Sequence, residues 1–462
     1  MGGLSKKATL LQELAPSATA LKIDAGTLFF DDAFTGQPER LAQALITAGA
    51  IVEAYNHMGY DAVALGHHDL AAGKAALKSL AAKAEFPFVS ANLADMEGSL
   101  LFEPVAHVER AGMRITLIGL TGGAQSDPFA GWAKILPWQE VLPPLLARHS
   151  AASDLIILLS SLPPSDNRAI AAKMADVHLI IQSGSSKQNM RPQLINNTLI
   201  SQVGHDGKYQ GQLTVEWPAS RRWQAKERPI LALQKEYDRL GWMLDKIAKK
   251  GGAEVVYKEN KAARQAFLEK EERHRQLAAE IAKLATADKK EHLPVATYTN
   301  HFHPLHPSLA DDVTISRLLQ QARKKANQVQ RAGAGPNRDS QYMGSRACGS
   351  CHEAIYQAWG QTPHATAYQT LVAQEQNHNP NCVYCHVTGL AEENAHLGGA
   401  LPESLKEVGC ESCHGPGRNH LAAAGLAPLP LKPAPSLCTS CHNAERDDNF
   451  NYQQDKGKVH GP

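Results

Sequence analysis

Cysteine and histidine form one repeated pattern near the C-terminal end of the sequence. All eight cysteines of the 462-residue chain lie in pairs with two residues between them, and a histidine directly follows each pair. The four motifs consist of Cys348, Cys351 and His352; Cys382, Cys385 and His386; Cys410, Cys413 and His414; and Cys438, Cys441 and His442. This C-x-x-C-H spacing is the attachment pattern of c-type haem, because two thiols bond to one porphyrin while the next imidazole binds its iron. The pattern predicts four covalently bound haem c groups.

Other uses of paired cysteines fit the spacing less well. A zinc site would join two pairs around one metal without a fixed histidine after each pair. A thioredoxin-like redox centre would have one such motif beside a βαβ unit. No cysteine precedes Cys348, so a disulfide framework across the whole chain is excluded.

Further histidines are candidates for the sixth iron position. They are His364, His378, His396, His420 and His460. Five candidates for four irons permit bis-histidine ligation throughout, which favours electron transfer over substrate binding. The alternative for each of them is a solvated loop histidine. Proximity to the motifs favours the ligand role for His364 and His420.

The segment that holds the motifs is short for the number of haems that it is predicted to bind. Four haems would share about 120 residues, and so short a chain builds little hydrophobic core of its own. We expect the porphyrins to form most of that core, with short helices at 353–360 and 365–374. Neighbouring haems would then lie close enough for rapid electron transfer.

The same segment resembles a known family. The resemblance rests on the run 342–348, on Thr362-Pro363-His364, on 381–389, and on 409–417 with His420. These residues are similar to the tetrahaem cytochromes that accept electrons from hydroxylamine oxidoreductase. The resemblance implies a mainly helical and loop-rich tetrahaem domain in which His364 and His420 are distal ligands. It also implies a ligand position for His460, and one haem of this family is usually five-coordinate.

The N-terminal region alternates between strand-like and helical segments. Apolar strand-like runs occur at 20–23, 62–65, 88–91, 114–120, 154–159, 178–181 and 198–203. Helical segments at 39–58 and 73–84 separate several of them. Continuous apolar strands with helical connections predict an α/β layered fold.

This region resembles the metallophosphatase domain of the periplasmic 5′-nucleotidase family. The resemblance rests on residues 2–10, 24–30, 59–68, 87–93, 118–121 and 203–211. That family holds two divalent cations, yet the chain begins after the first ligand motif. Of the family's motif residues, only His68 and Asp69 stand where the family has them, while Gly26-Thr27, His67, the serines at 160–161 and the run 183–186 stand at the positions of metal ligands. The resemblance implies a lapsed metal site, and hydrogen-bonded surface histidines are favoured over a new metal or haem contact at His67 and His68.

The middle of the chain is rich in charge. Two helical stripes separated by Gly251-Gly252 predict a helical hairpin in which His274 lies on the apolar side. His301, His303 and His306 could reach a haem, but the neighbouring prolines favour a linker. The predicted domains are therefore a phosphatase-like domain (1–220), the hairpin (221–292), a helix and linker (293–340) and a tetrahaem domain (341–462).

Charge and hydropathy limit the partners. A net charge of +1 gives no reason to expect nucleic acid, and no apolar run approaches the ~18 residues of a spanning helix. Haem c is attached outside the bacterial cytoplasm, so we expect a periplasmic or extracellular protein. Because the sequence shows no secretory signal, we expect the natural start to lie upstream and to carry one.

The leading hypothesis is an exported multihaem cytochrome that relays electrons between redox partner proteins. An electron-transfer protein is favoured over an enzyme, and the phosphatase-like domain would serve positioning or partner binding. One alternative is an oxidoreductase whose five-coordinate haem reduces a small nitrogen or sulfur compound. Another is a metal-dependent nucleotide phosphatase. A homo-oligomer or filament, with one subunit ligating the next subunit's haem, is also compatible with the surplus of histidines.

Overall fold

The structure is a computed structural model of the 462-residue chain. It describes residues 3–460 except 15–18, 31–37, 124–130, 185–187, 205–206, 224–228, 259, 288–294, 332–340, 378, 390–400, 444–445 and 448. Residues 332–340, at the end of the segment predicted as a helix and linker (293–340), lie outside the described residues, as do His378 and His396.

The strands of the described residues all lie in the first two-thirds of the chain. They are β1 (Ile23–Asp24), β2 (Ala62–Ala64), β3 (Phe88–Val89), β4 (Leu93–Ala94), β5 (Val105–Arg110), β6 (Met113–Leu120), β7 (Lys134–Ile135), β8 (Leu155–Ser160), β9 (Leu179–Gln182), β10 (Met190–Ile195), β11 (Thr198–Gln202), β12 (Tyr209–Glu216) and β13 (Thr297–Pro304). They form a three-stranded sheet of order β1-β2-β3, a six-stranded sheet of order β10-β11-β9-β8-β6-β5, and the two-stranded pairs β12-β13 and β4-β7.

The helices cover the sheets and continue into the C-terminal region. They are α1 (Leu4–Leu14), α2 (Pro38–Met58), α3 (Gly73–Ala81), α4 (Trp138–His149), α5 (Pro164–Lys173), α6 (Pro229–Ala248), α7 (Ala253–Val256), α8 (Lys261–Ala287), α9 (Val313–Arg331), α10 (Ser345–Gly349), α11 (Glu353–Trp359), α12 (Ala367–Ala373), α13 (Pro380–His386), α14 (Cys410–His414), α15 (Arg418–Ala422), α16 (Pro435–Cys441) and α17 (Tyr452–Asp455). None of the helices in the described residues is both long and apolar enough to cross a membrane.

The α/β region is built from four layers. The centre of the larger sheet is parallel, with Ile118 beside Leu158 and Ile157 beside Leu179. Every residue of β8 is buried, as expected for a strand that is covered on both faces. One core lies between the two sheets, a second joins the larger sheet to α4 and α5, and a third joins the smaller sheet to α1, α2, α3 and α9. The predicted α/β layered fold is confirmed.

A helical hairpin follows β12. Helices α6 and α8 pack through Leu240, Phe267 and Leu277. His274 stacks on Tyr237 with ring centroids 3.9 Å apart, so it is a packed histidine, as its place in the stripe predicts.

The chain then returns as β13, which pairs with β12 along its whole length. His301 and His303 therefore lie on a strand, and the linker predicted from the prolines is wrong at these positions. The prolines stand at the end of the strand and beyond it, where they leave the pairing with β12 intact.

The C-terminal region consists of short helices and loops. In the part of this region that the structure describes, the buried apolar cluster consists of Tyr368, Leu371, Val383 and Val387. Helices α11 and α12 coincide with the two helices predicted from the sequence. A mainly helical C-terminal region is thus confirmed.

Candidate haem centres and the loop around Asp69

Short helices position the C-x-x-C-H motifs. Helices α13 and α14 contain the whole second and third motifs, whereas α10 and α16 contain one or both cysteines of the first and fourth. A helical turn places residues three apart on one face, so both thiols of a pair point to the same side. None of the eight cysteines forms a disulfide bond in the structure.

Three of the motif imidazoles lie opposite a second imidazole. The ring centroids are 6.5 Å apart for His352 and His420, and the planes differ by 21°. They are 6.1 Å apart for His414 and His460 and 5.9 Å apart for His442 and His364. An iron bonded to two imidazoles at about 2 Å from each nitrogen separates the ring centres by roughly 6 Å. The spacing of all three pairs therefore suits one iron between two rings.

Hydrogen bonds hold several of these imidazoles by Nδ1. His386 contacts the Ala367 carbonyl oxygen at 2.7 Å, His414 contacts that of Pro430 at 2.6 Å, and His420 contacts that of Ala427 at 2.6 Å. Donation from Nδ1 to a carbonyl leaves Nε2 as the free lone pair, which is the form that binds a metal. Burial lowers the pKa of His364, and the neighbouring His442 and His386 lower it further, so this imidazole is neutral as a ligand must be.

The second motif differs from the other three. Within the described residues, no imidazole ring is paired with that of His386 at this spacing. His378 and His396, the remaining sequence candidates, lie outside those residues.

Contacts between thiols give the spatial order of the motifs. A hydrogen bond with Cys348 lowers the pKa of Cys410 to about 6, so the first and third motifs touch. A hydrogen bond with Cys385 lowers the pKa of Cys441 to about 6, which joins the second and fourth.

The third and fourth motifs also lie near each other. Burial raises the pKa of Cys413 to about 11, and the nearby Cys438 contributes to the rise. The third and fourth motifs are therefore neighbours, and the order in space is first, third, fourth, second.

At the ends of β1 and β2, Asp69 organises the cleft of the α/β region. Its carboxylate accepts hydrogen bonds from the backbone N–H groups of Thr27 (2.7 Å), Leu28 (2.7 Å), Phe29 (2.9 Å) and Gly66 (2.8 Å). Both oxygens are engaged in fixing the loop after β1. Asp69 therefore acts as a buried structural anchor.

Serines stand at two further positions where the resemblance to the 5′-nucleotidase family predicts metal ligands. The Ser160 hydroxyl donates to the Asn167 side chain at 2.7 Å, and that of Ser183 donates to the Ala25 carbonyl at 2.8 Å. The rings of His67 and His68 lie 4.0 Å apart, and both side chains are partly exposed. No group of three or more His, Cys, Asp or Glu side chains in the described part of the chain could hold a metal ion.

Known proteins match the two regions separately. The family model described as cytochrome c554 and c-prime matches residues 347–415. Cytochrome c-554 of Nitrosomonas europaea is 35% identical over 96 residues, which are 18% of this chain and 41% of that protein. This similarity to the cytochrome c554 family implies covalently bound haem c in the C-terminal region.

The relatives of the N-terminal region are nucleotidases. The 5′-nucleotidase of Vibrio parahaemolyticus is 33% identical over 120 residues, which are 26% of this chain and 21% of that protein. A solved 5′-nucleotidase precursor from Thermus thermophilus aligns with 70% of this chain and 52% of its own, at 18% identity and a TM-score of 0.47. The chain thus spans less than half of the length of either curated relative.

Helix α9 connects the nucleotidase-like region to the cytochrome c554-like region. Its Ile315, Leu319 and Ala322 belong to the core formed by α1 and α2. From the same helix, Asn327 donates to the carbonyl oxygen of Glu375 at 3.0 Å, and Lys324 forms an ion pair with that side chain at 3.5 Å. The sequence predicted a helix in this segment but not its packing against both regions. The amphipathic pattern of α9 was the signal that could have indicated this packing.

Proposed function

We propose that this protein is an electron relay with four haem c groups, one on each C-x-x-C-H motif. The observation that carries the proposal is the set of three imidazole pairs, His352 with His420, His414 with His460, and His442 with His364. When bound, each haem supplies a one-electron ferric/ferrous couple. Two neutral imidazoles favour the low-spin state in both oxidation states, so little rearrangement accompanies electron transfer.

The order of the motifs supports a relay. Thiols of the first and third, third and fourth, and fourth and second motifs are close neighbours. Electron transfer slows steeply with distance, so groups anchored at touching cysteines exchange electrons readily. The chain's own part is to fix this order and to orient the imidazoles through their Nδ1 hydrogen bonds.

The second motif supports a second candidate function, the reduction of a small nitrogen or sulfur compound. His386 is held by the carbonyl of Ala367 and has no imidazole opposite it in the described residues. An iron with one open position could bind a small ligand. His386 would then be the proximal ligand of the site where a substrate meets the relay.

Electron paramagnetic resonance of the ferric holoprotein tests both candidates. We expect four irons per chain, with three low-spin signals and one high-spin signal that shifts on addition of nitrite or hydroxylamine. Absence of covalent haem would overturn the relay. Four low-spin irons would overturn the open site and point to His378 or His396 as the missing ligand.

We also propose that the nucleotidase-like region has lost two-metal chemistry and serves positioning or partner binding. The four backbone N–H groups that bond to the Asp69 carboxylate support this, because a metal ligand needs a free lone pair. The expected result is no phosphate release from nucleotides with added Mn²⁺ or Zn²⁺. Release that disappears in His68→Ala would contradict the proposal.

Export to the periplasm or cell exterior follows from the same cofactor, because haem c is attached outside the bacterial cytoplasm. The proposed partners are one electron donor and one electron acceptor protein. Fractionation of the native host tests this assignment. Recovery of the haem protein only from the cytoplasm would contradict it.

A further inference from the structure

The fourth motif differs from the second and third in the partner of its imidazole. His386 and His414 contact backbone carbonyl oxygens, whereas Nδ1 of His442 lies 2.7 Å from Oδ2 of Asp447. A carboxylate carries a full negative charge, and a hydrogen bond to it gives the imidazole more anionic character than a bond to a carbonyl. The difference lies beyond the residues that match the cytochrome family.

The local chain presents Asp447 to the imidazole. The Asp447 backbone N–H donates to the Asn443 carbonyl oxygen at 2.8 Å, which closes a turn directly after the motif. Phe450 stacks on the His442 ring, with centroids 4.7 Å apart. Among the described residues, the Asp447 carboxylate has no other hydrogen-bond or ion-pair partner. Its side chain is 37% exposed and that of His442 is 35% exposed, so the pair is partly shielded from water.

We propose that Asp447 is a positioning residue that lowers the reduction potential of the fourth haem, an inference that rests on the proposed relay. Reduction adds one electron and removes one positive charge from the iron. A negative carboxylate behind the ligand stabilises the more positive ferric form and so opposes reduction. The carbonyl acceptors of His386 and His414 carry no net charge and oppose reduction less.

Because of the position of the fourth motif, a lowered potential of its haem would affect the whole relay. It lies between the third motif, through Cys413 and Cys438, and the second motif, through Cys441 and Cys385. A low potential at this point slows the return of an electron from the second motif. An electron that reaches the proposed open site is therefore retained there.

Potentiometric titration of the holoprotein with dithionite and ferricyanide tests the proposal. Asp447→Asn keeps the size and an acceptor oxygen but removes the charge. We expect one of four components to move upward, with the ferrous-to-ferric ratio at fixed potential rising about tenfold, or about 59 mV. The largest g value of the same low-spin signal should move as well. Asp447→Glu should recover at least half of the shift.

Two further variants make the outcome specific. Asp455→Asn removes a nearby carboxylate that pairs with Lys458 at 2.6 Å instead of bonding the imidazole, and we expect less than about a threefold change in the ratio. His364→Met should raise the same component as Asp447→Asn, because a methionine ligand raises the potential of the iron that it binds.

The results separate the two levels of the argument. Four covalent haems with no component moved by Asp447→Asn, or an equal shift in Asp455→Asn, would overturn the present inference and leave the relay intact. A chain without covalent haem would instead overturn the relay itself.

Discussion

The two regions of this protein differ in what forms their interior. The α/β region has three apolar clusters around its sheets, with residues such as Leu117, Ile156 and Leu158 fully buried. The cytochrome c554-like region has one cluster of four buried residues. It also leaves Leu426 87% exposed and Leu431 91% exposed, close to the carbonyls that hold His420 and His414. Apolar side chains in such a position suit the face of a porphyrin.

The difference separates two features of the chain. The large apolar interior lies in the α/β region, and the residues for cofactor attachment lie in the C-terminal region. The α/β region buries apolar side chains of its own in three clusters, and burial of apolar surface favours folding. Its Asp69 fixes the loop after β1. The C-terminal region contains every cysteine of the chain and has a small apolar cluster in its described residues. The proposed relay therefore predicts that haem completes the interior of the second region and not of the first.

The largest predicted effect comes from removing one haem. Cys410→Ser with Cys413→Ser abolishes attachment at the third motif, which neighbours both the first and the fourth. A group that binds only the folded state stabilises it, so hydrogen-exchange protection across 341–460 should fall by about 100-fold or more. The α/β region should keep its protection.

The matched control for this prediction is Ser412→Ala. It changes the same turn, and its hydroxyl only bonds Thr388 weakly, at 3.3 Å. Protection in 341–460 should remain. Equal protection in the double-serine variant would break the comparison, because it would mean that the C-terminal region folds without its third haem.

The sequence predicted the centre of the α/β fold well and its edges poorly. All seven apolar runs contain or overlap an observed strand, because central parallel strands are apolar on both faces. The strands β5, β10 and β12 were missed. Their alternating polar residues fit a half-exposed position at a sheet edge or in a ribbon, and such a pattern is weaker than a continuous apolar run.

In the haem region, the motif residues could be predicted from spacing, but their partners could not. His352 and His420 are 68 positions apart in the sequence, yet their ring centroids lie 6.5 Å apart, so their pairing depends on the tertiary packing of the C-terminal region. Local pattern carries no information about such docking. The role of Asp447 was also missed, although a carboxylate five residues after a motif histidine was a visible signal.

A smaller predicted effect concerns His178, a buried residue of the α/β region. It tests how strongly burial controls the stability of that region. Burial lowers the pKa of His178 to about 4, and its Nδ1 accepts the Ile156 backbone N–H at 2.9 Å. The unfolded imidazole takes up a proton near pH 6.5 while the folded one stays neutral. Stability is therefore lost as pH falls from about 6.5 to 4, by about 3 kcal/mol in all.

Urea unfolding of the α/β region, followed by circular dichroism at pH 7.5 and pH 5, measures this loss. About 2 kcal/mol should disappear between these values in the wild type. His178→Asn keeps an acceptor but cannot titrate, and should show a smaller dependence. His107→Asn, at an exposed position of β5, should behave like the wild type. Identical pH dependence in His178→Asn would contradict the prediction.

The smallest effect is expected from a polar contact at the surface of the same region. Hydrogen bonds from Arg114 lower the pKa of Asp154 to about 2, and Arg221 adds an ion pair at 2.8 Å. The contribution is present above pH 3.9 and is lost as pH falls towards 2. Because solvent screens this pair, Asp154→Asn should cost about 1 kcal/mol at pH 7 and much less at pH 2.5 in urea unfolding. Glu97→Gln, on an exposed turn, should cost nothing measurable. The loss of unfolding free energy in Asp154→Asn could instead exceed the loss caused by protonation of His178 at low pH. That result would mean that surface charge, and not burial, dominates the stability of the α/β region.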